Sequence, residues 1–500
     1  MANKLGIRKV FKTICPQVFL WSATIGLIYA IMASLQPYAL DDIAFRKFFA
    51  DFRADPSLYL FFEDTFAGIA HQFQFDSLRL SNAAASLFML FPEAIPAVAL
   101  GIALSLTLIC GWKLSGRKTI AFGIFTAAYL LLEPWREYML TKAFGFNYVV
   151  SSAIAMAVCV AVLKNNTRPV IAAACGFIAG MWHEGFSVAT AGGIAALLLL
   201  FPPYRNSSTA SWLSGLIAGI IVLALPPGTS YRGEGMFMPQ KLIQLQYGML
   251  TGSPFYLLAV LSALVLLCRN LRHNFLTPQL ALILGCAAAG WVVWRCFMTD
   301  YRTAWPMILF SSCGLGYIIG KTDLLSRRIG EIIGTSLLSI TVLQLLLCIP
   351  YAIRLHNEYQ LAFKSTEDGS SGHFLHRSTA ATTPCHTLNR VNYDIYLLGG
   401  YPAWQCVPAD LAEYSPQQAT PLLSPNDARL FRGHIVVPAH YGAGSAWICS
   451  ITTGRTFETV CLLTEFTNQH GTFCYAAPLN LYHLAGGKTI TGFTLIRQDI

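Results

Sequence analysis

Apolar stretches of about one membrane thickness recur along the first 350 residues, and they limit the chain to a narrow class of folds. A bilayer core needs roughly 20 apolar residues per helix. Only 12% of the residues are charged, about half of the share usual in a soluble domain. The sequence therefore predicts a polytopic α-helical membrane protein.

The apolar blocks define eleven candidate spans. They cover residues 17–35, 94–112, 119–134, 147–163, 169–183, 186–202, 210–226, 255–268, 278–294, 304–320 and 333–351. The first follows a basic N-terminal stretch, as a signal peptide does. It is longer than the apolar region of most signal peptides and shows no small-residue cleavage site, so we expect it to remain as a span.

The charged residues favour one orientation. With the N-terminus in the cytoplasm, the loops on that side hold fifteen Lys and Arg against only Asp323 and Glu331. The opposite side, up to residue 351, holds ten cations and thirteen acids. Lys and Arg collect on the cytoplasmic side of membrane proteins. An odd number of spans then places the C-terminal tail outside.

The tail has a different character from the rest of the chain. It contains no apolar block of membrane length, and runs such as "GHIVVPA", "SAWICSITT" and "TITGFTLIRQ" are separated by Gly, Pro and Asn. Such runs predict strands and turns. We therefore expect a transmembrane domain over residues 1–351 and an extracytoplasmic β or α+β domain over residues 352–500.

Five cysteines lie in this tail. In an oxidising compartment we expect at least one disulfide. The nearest pairs along the chain are Cys385 with Cys406 and Cys461 with Cys474, although the sequence leaves the pairing open. No pair has the C-x-x-C spacing of a zinc ribbon or a redox motif, so no metal site is indicated.

Polar residues gather at the predicted outer ends of the spans. Two adjacent aspartates follow the first span in "LQPYALDDIAF". The candidate site residues among them are Asp41, Asp42, Asn147, Tyr148, His183, Glu184, Arg232, Arg295, Asp300 and Arg302. Each has a structural alternative, since aspartates cap helices, "HEG" suits a helix–helix turn, and interfacial arginines snorkel. Ionisable groups at membrane depth tend to mark function, and their recurrence on one side favours a site.

These residue types suggest group transfer from a lipid carrier. A carboxylate can act as a general base, and a guanidinium holds a phosphate by paired hydrogen bonds. The expected substrate-binding residues are Arg302 first, then Arg295, with Asp300, Arg232, Asn147 and Tyr148. A site at the lipid–water boundary suits a substrate with a long lipid and a polar head, as in a lipid-phosphate-sugar glycosyltransferase.

The chain resembles the GT-C class of integral-membrane glycosyltransferases, and more closely a bacterial branch related to O-antigen glucosyl-transfer proteins. The resemblance covers about residues 1–350 and rests on Asp41-Asp42, "FNY" at 146–148, "G…HEG" at 176–185 and "DYR" at 300–302. It implies a polyprenyl-phosphate-linked sugar as donor, a glycan or lipid acceptor, and action on the outer face of the bacterial inner membrane. It also implies that Asp41 or Asp42 is the base.

Of the two aspartates we favour Asp42 as the base and Asp41 as its partner or a helix cap, with Glu184 or His183 as the fallback. The alternatives are a membrane transporter or flippase, and a polysaccharide polymerase or ligase. Transporters often show internal repeats and broken helices, and only "GFIAGMWHEG" could be such a break. We expect membrane lipids as further partners and no nucleic acid. No cofactor is indicated, although a divalent metal ion is compatible with the chemistry.

Overall fold

The helices of the structure, a computed structural model, follow the apolar blocks of the sequence, and each predicted span falls on a helix. The structure describes residues 15–36, 42, 45–46, 48–75, 77–131, 140–227, 254–267, 275–297, 301–321, 326–368, 374–375, 407–421, 427–432, 434–442, 446–452, 456–477 and 492–497. Two compact units are present. The first comprises Met1–Ser34 and Phe45–Ile349, and the second comprises Leu35–Ala44 and Pro350–Ile500.

The helices are named here in chain order. They are α1 (Pro16–Leu35), α2 (Ala50–Ala54), α3 (Leu58–Phe75), α4 (Leu80–Phe88), α5 (Ala94–Leu114), α6 (Thr119–Leu130), α7 (Lys142–Lys164), α8 (Pro169–Gly180), α9 (Glu184–Leu200), α10 (Ser207–Ala224), α11 (Pro254–Leu267), α12 (Pro278–Phe297), α13 (Trp305–Lys321) and α14 (Arg327–Asp368). Short 3₁₀ turns, among them Tyr301–Ala304 before α13, connect some of them.

Six of these helices are long and apolar enough to cross a membrane, namely α1, α5, α7, α10, α12 and α14. They indicate a membrane-embedded protein. The helices on the other five predicted spans are shorter. The shortest, α6 and α8, have 12 residues each, or roughly 18 Å, against a hydrocarbon core of about 30 Å. Eleven crossings therefore remain a prediction.

Small residues let the helices of the first unit approach closely, and the α8–α10 pair shows this best. Two G-x-x-x-G motifs, "GFIAG" in α8 and "GLIAG" in α10, face each other. A Cβ atom built on Gly180 would lie 2.5 Å from the carbonyl oxygen of Leu216, so no larger side chain fits. Such contacts between backbones are typical of membrane helices, where packing replaces the hydrophobic effect as the driving force.

We expect Gly219→Val to destabilise the first unit. A Cβ atom at this position would overlap the carbonyl oxygen of Phe177 in α8, and overpacking of this kind costs about 1–3 kcal/mol. Thermal unfolding in detergent measures the effect. The matched control is Ala218→Val, which adds bulk on the exposed side of the same helix and should leave the unfolding temperature unchanged. Equal unfolding temperatures for the two variants would contradict the tight helix contact.

The segment after α1 carries an amphipathic helix, α3. Its exposed large side chains form one stripe, made of Leu58, Tyr59, Phe62, Phe66, Ile69 and Phe73. The opposite side is tied to α2 by the buried Asp64, whose Oδ2 accepts the Phe52 N–H at 2.9 Å. An exposed apolar stripe on an amphipathic helix suits the boundary between headgroups and acyl chains.

The second unit contains an antiparallel sheet, which agrees with the β or α+β expectation for the tail. The sheet has the order β3-β4-β5-β8-β7-β6-β9. Its strands are β3 (Thr420–Pro421), β4 (Arg429–Phe431), β5 (His434–Pro438), β6 (Ala446–Thr452), β7 (Thr456–Asn468), β8 (Gly471–Ala477) and β9 (Gly492–Arg497), and the pair β1 (Phe374–Leu375) and β2 (Val407–Pro408) lies apart from them.

An aromatic core holds this sheet against the 3₁₀ helix Ala409–Glu413. The Tyr414 ring lies edge-on to Phe473 at 4.8 Å and to Phe431 at 5.5 Å between centroids. The Asn468 side chain closes the contact by donating to the carbonyl oxygens of Leu411 and Tyr414, at 3.1 and 2.9 Å. These contacts explain why a tail without an apolar block still forms a folded unit.

One suggested disulfide, between Cys461 and Cys474, is wrong. Cys474 is a buried free cysteine, and burial with the nearby Glu465 carboxylate raises its thiol pKa to about 12. The β7–β8 register pairs it with Glu465, four residues along β7 from Cys461. Four strand residues span roughly 13 Å, beyond the reach of a disulfide. Cys385 and Cys406 lie outside the described residues.

Candidate functional site

The candidate site is built around the "MWHEG" turn between α8 and α9. His183 is the N-cap of α9, and its Nδ1 accepts the N–H of Gly185 at 3.2 Å. This bond places the proton of the neutral ring on Nε2. The turn is also joined to the start of α4, because the Leu80 N–H donates to the Met181 carbonyl at 3.0 Å. Two distant segments therefore fix the position of the imidazole.

A bidentate ion pair, Arg79 with Glu184, crosses this junction. The Arg79 Nε donates to Glu184 Oε2 at 2.7 Å, and Nη2 donates to Oε1. The Arg79 side chain is 13% exposed and that of Glu184 is 42% exposed. Paired hydrogen bonds between ionised groups are among the stronger polar contacts in proteins, so the junction between α4 and α9 is well defined.

The electrostatics of Glu184 decide which chemistry it can support. Desolvation raises the pKa of this carboxyl, but nearly half of the side chain stays accessible, so the desolvation is partial. The Arg79 guanidinium, through its charge and its hydrogen bonds, and the nearby His183 together outweigh this desolvation and lower the pKa of Glu184 to about 2. A carboxylate with such a low pKa is a weak general base at neutral pH. The geometry favours a binding or positioning role for Glu184 over the fallback role as base.

A π-helical turn, Gly145–Val150, contains Asn147 and Tyr148 and places them next to the start of α4 and His183. Asn147 is buried; its Oδ1 accepts the Ser81 hydroxyl, and its Nδ2 donates to Asn82 Oδ1 at 3.1 Å. π-Helical turns inside α-helices are rare and are frequent at functional sites. The "FNY" motif of the sequence therefore lies in a distinctive piece of backbone, tied to α4.

Aromatic rings surround His183 and connect it to α13. The Tyr148 ring lies 5.2 Å from the imidazole and 6.0 Å from the Trp305 ring, between centroids. The Trp305 indole donates to the Tyr129 hydroxyl at 3.1 Å, and Tyr129 OH contacts Ser152 Oγ at 3.2 Å. These hydrogen bonds fix the positions of the Trp305 and Tyr129 rings. His183 therefore packs against a set of aromatic side chains that are held in place.

Helix dipoles add positive potential to the cluster. The N-termini of α9 and α13 lie on either side of Tyr148. The Tyr148 ring packs on His183 at the start of α9 and on Trp305 at the start of α13. Each of the two helices has 17 residues. Helix N-termini carry a partial positive charge and favour anions. The Glu184 carboxylate balances the charge of the Arg79 guanidinium. The two helix ends therefore supply the positive potential, which suits an anionic group.

The remaining predicted residues are only partly described. Asp42 is buried and belongs to the second unit. Arg295 is buried in the last turn of α12, with its guanidinium 5.6 Å from the centroid of the Trp294 ring. Arg302 lies in the 3₁₀ turn before α13. The residues that fall outside the described part are Asp41, Arg232 and Asp300.

Three residues at the start of α4 were not predicted from the sequence, namely Arg79, Ser81 and Asn82. The only available signal was the polar start of an apolar helix in "LRLSN". Their partners lie 65 to 105 residues away along the chain, and no local spacing rule connects them. The structure thus brings some of the predicted residues together with Arg79 in one cluster. We call it the HEG cluster, and it consists of His183, Glu184, Arg79, Asn147 and Tyr148.

The resemblance to membrane glycosyltransferases rests on short motifs, and the HEG cluster contains two of them, "FNY" and "HEG". It adds Arg79, which none of the quoted motifs includes. Comparison with protein-family models, curated proteins and solved structures finds no match to this chain.

Proposed function

We propose that the protein is a glycosyltransferase that moves a sugar from a polyprenyl-phosphate donor to a glycan or lipid acceptor of the bacterial cell envelope. The observation that carries the proposal is the HEG cluster, in which a guanidinium and two helix N-termini converge within an apolar helical unit. Positive potential beside apolar helices suits a donor with a phosphate headgroup and a long lipid.

In the proposed reaction the phosphate is the leaving group. The acceptor hydroxyl forms a bond to the anomeric carbon and gives its proton to a carboxylate, and the bond from that carbon to the phosphate oxygen breaks with its electron pair. Arg79 would stabilise the negative charge that develops on the phosphate, as fixed cationic donors do in other transfers. Arg295 and Arg302 remain further candidates for the same phosphate.

Asp42 remains the proposed general base. It is a fully buried carboxylate that follows the first span within seven residues, and a carboxylate can take the proton of an acceptor hydroxyl. Asp41 is proposed as its partner. The distribution of Lys and Arg supports a cytoplasmic N-terminus, with reaction and tail on the outer face of the inner membrane.

Spheroplasts provide a test of activity and sidedness together. Cells with the protein, given a water-dispersible polyprenyl-phosphate sugar with a radiolabelled hexose from outside, should incorporate the label into envelope glycan or lipid without permeabilisation. Cells that lack the protein are the control. Incorporation that requires permeabilisation would contradict the outer-face site. Label that enters the cells and joins no glycan would support a transporter instead.

A further inference from the structure

A cavity of about 470 Å³ lies in the first unit between α1, α5, α6 and α14, away from the HEG cluster. Its lining combines two indole rings with polar groups, among them Trp21, Thr24, Trp112, Arg117, Thr119 and Thr335. Valine, leucine and phenylalanine side chains complete the wall. This mixture of apolar wall, interfacial tryptophan and one guanidinium is suited to a molecule with an anionic head and an apolar chain.

The backbone fixes the position of the guanidinium-bearing residue. After α5 ends, Gly116 adopts a left-handed conformation with φ of 97°, and the Arg117 N–H donates to the Trp112 carbonyl at 3.0 Å. This is the six-residue helix ending known as a Schellman motif. Arg117 itself has φ of 63°, which is uncommon for a residue other than glycine. The turn thus holds Arg117 beside Trp112, at the cavity.

The cations near this cavity favour the binding of an anion. Arg117 lines the cavity, and Lys113 lies in the last turn of α5, four residues before it. Lys164, at the other end of α7 from Tyr148, and Arg117 both repel the charge of Lys113. Like charges beside a low-dielectric apolar region are unfavourable unless an anion joins them.

We propose that this cavity binds an anionic phospholipid, with the phosphate on Arg117 and an acyl chain along the wall formed by Trp21 and Leu338. Basic pockets between membrane helices bind anionic lipid headgroups, and tryptophan is enriched at the depth of those headgroups. The site does not depend on the proposed transfer reaction, because its residues are separate from the HEG cluster and from Asp42.

Native mass spectrometry of the delipidated full-length protein tests this site, with phosphatidylglycerol as the probe and diacylglycerol as the lipid without a phosphate. Arg117→Gln should weaken phosphatidylglycerol binding by about tenfold or more, because it removes hydrogen bonds to a charged group. The matched control is Arg168→Gln, which removes an exposed cation from the α7–α8 loop outside the cavity. Thr335→Trp should fill the cavity and weaken binding without a change in charge.

The outcomes separate the site from general attraction between charges. Equal loss of binding in Arg117→Gln and Arg168→Gln would overturn the proposal, as would unchanged binding in both Arg117→Gln and Thr335→Trp. Strong binding of diacylglycerol would show that the phosphate is not recognised. If glycerol phosphate, which has no acyl chain, competes as well as the lipid does, the site takes a free phosphate and the lipid proposal fails.

Discussion

Replacing Asp42 by asparagine should abolish sugar transfer while the protein still folds and still binds its donor. Asparagine keeps the shape of the side chain and removes its basicity, and loss of a general base typically costs about 10²–10⁴-fold in rate. The measurement is the initial rate of label incorporation at saturating donor, alongside donor affinity and the unfolding temperature. Unchanged donor affinity would assign the loss to chemistry.

The matched control is Asp51→Asn. Asp51 is an exposed residue in the first turn of α2, and its neutralisation should leave transfer within about twofold, since surface substitutions are usually near neutral. If Asp42→Asn retains near-normal transfer, Asp42 is a helix cap. The base would then be Asp41 or His183. Glu184 is the weaker candidate, because Arg79 keeps its carboxylate ionised.

Arg79→Gln and Glu184→Gln should have opposite consequences for donor affinity. In the absence of donor, Glu184 accepts hydrogen bonds from two groups of the guanidinium, Nε and Nη2. Loss of Arg79 removes the proposed phosphate partner and should weaken donor binding by about 10–100-fold, the range expected for hydrogen bonds to a charged group. Loss of Glu184 leaves the guanidinium present, so donor binding should be retained or strengthened.

This asymmetry distinguishes phosphate binding from a purely structural ion pair. A structural pair would make both variants equally unstable and equally weak in donor binding. The stability effect itself should be modest, with a coupling energy on the order of 1 kcal/mol, because Glu184 is partly exposed and water screens the pair. Donor affinity by titration and unfolding temperatures of the two single variants and the double variant give both quantities. Equal affinities in the two single variants would remove Arg79 from the proposed site.

The helices could be predicted from the sequence because their signal is local. Each apolar block contains the information for its own helix. The bounds differ most at α14, which extends past both ends of the predicted span 333–351. The strands of the tail were recognisable from short apolar runs for the same reason. The number of membrane crossings is harder to predict. Helices such as α6 and α8 are apolar enough to lie in a membrane, but with 12 residues they are shorter than the bilayer core is thick.

The candidate site could be predicted only in part because its contacts are long-range. His183, Glu184, Asn147 and Tyr148 were recognised as unusual polar residues near span ends, but nothing local pairs Arg79 with Glu184 across 105 residues. The Cys461–Cys474 pairing failed for the opposite reason. Nearness along the chain suggested a bond, whereas the β7–β8 register separates the two positions along the strands.

The close contact between the G-x-x-x-G motifs of α8 and α10 has a consequence for biosynthesis. A helix of 12 residues is a poor candidate for membrane insertion by itself, and α10 is synthesised after α8 and α9. The close backbone contact supplies α8 with a partner that also excludes lipid from its small-residue face. We therefore expect α8 to settle in the bilayer after α10 is complete, so that the order of assembly differs from the order of synthesis.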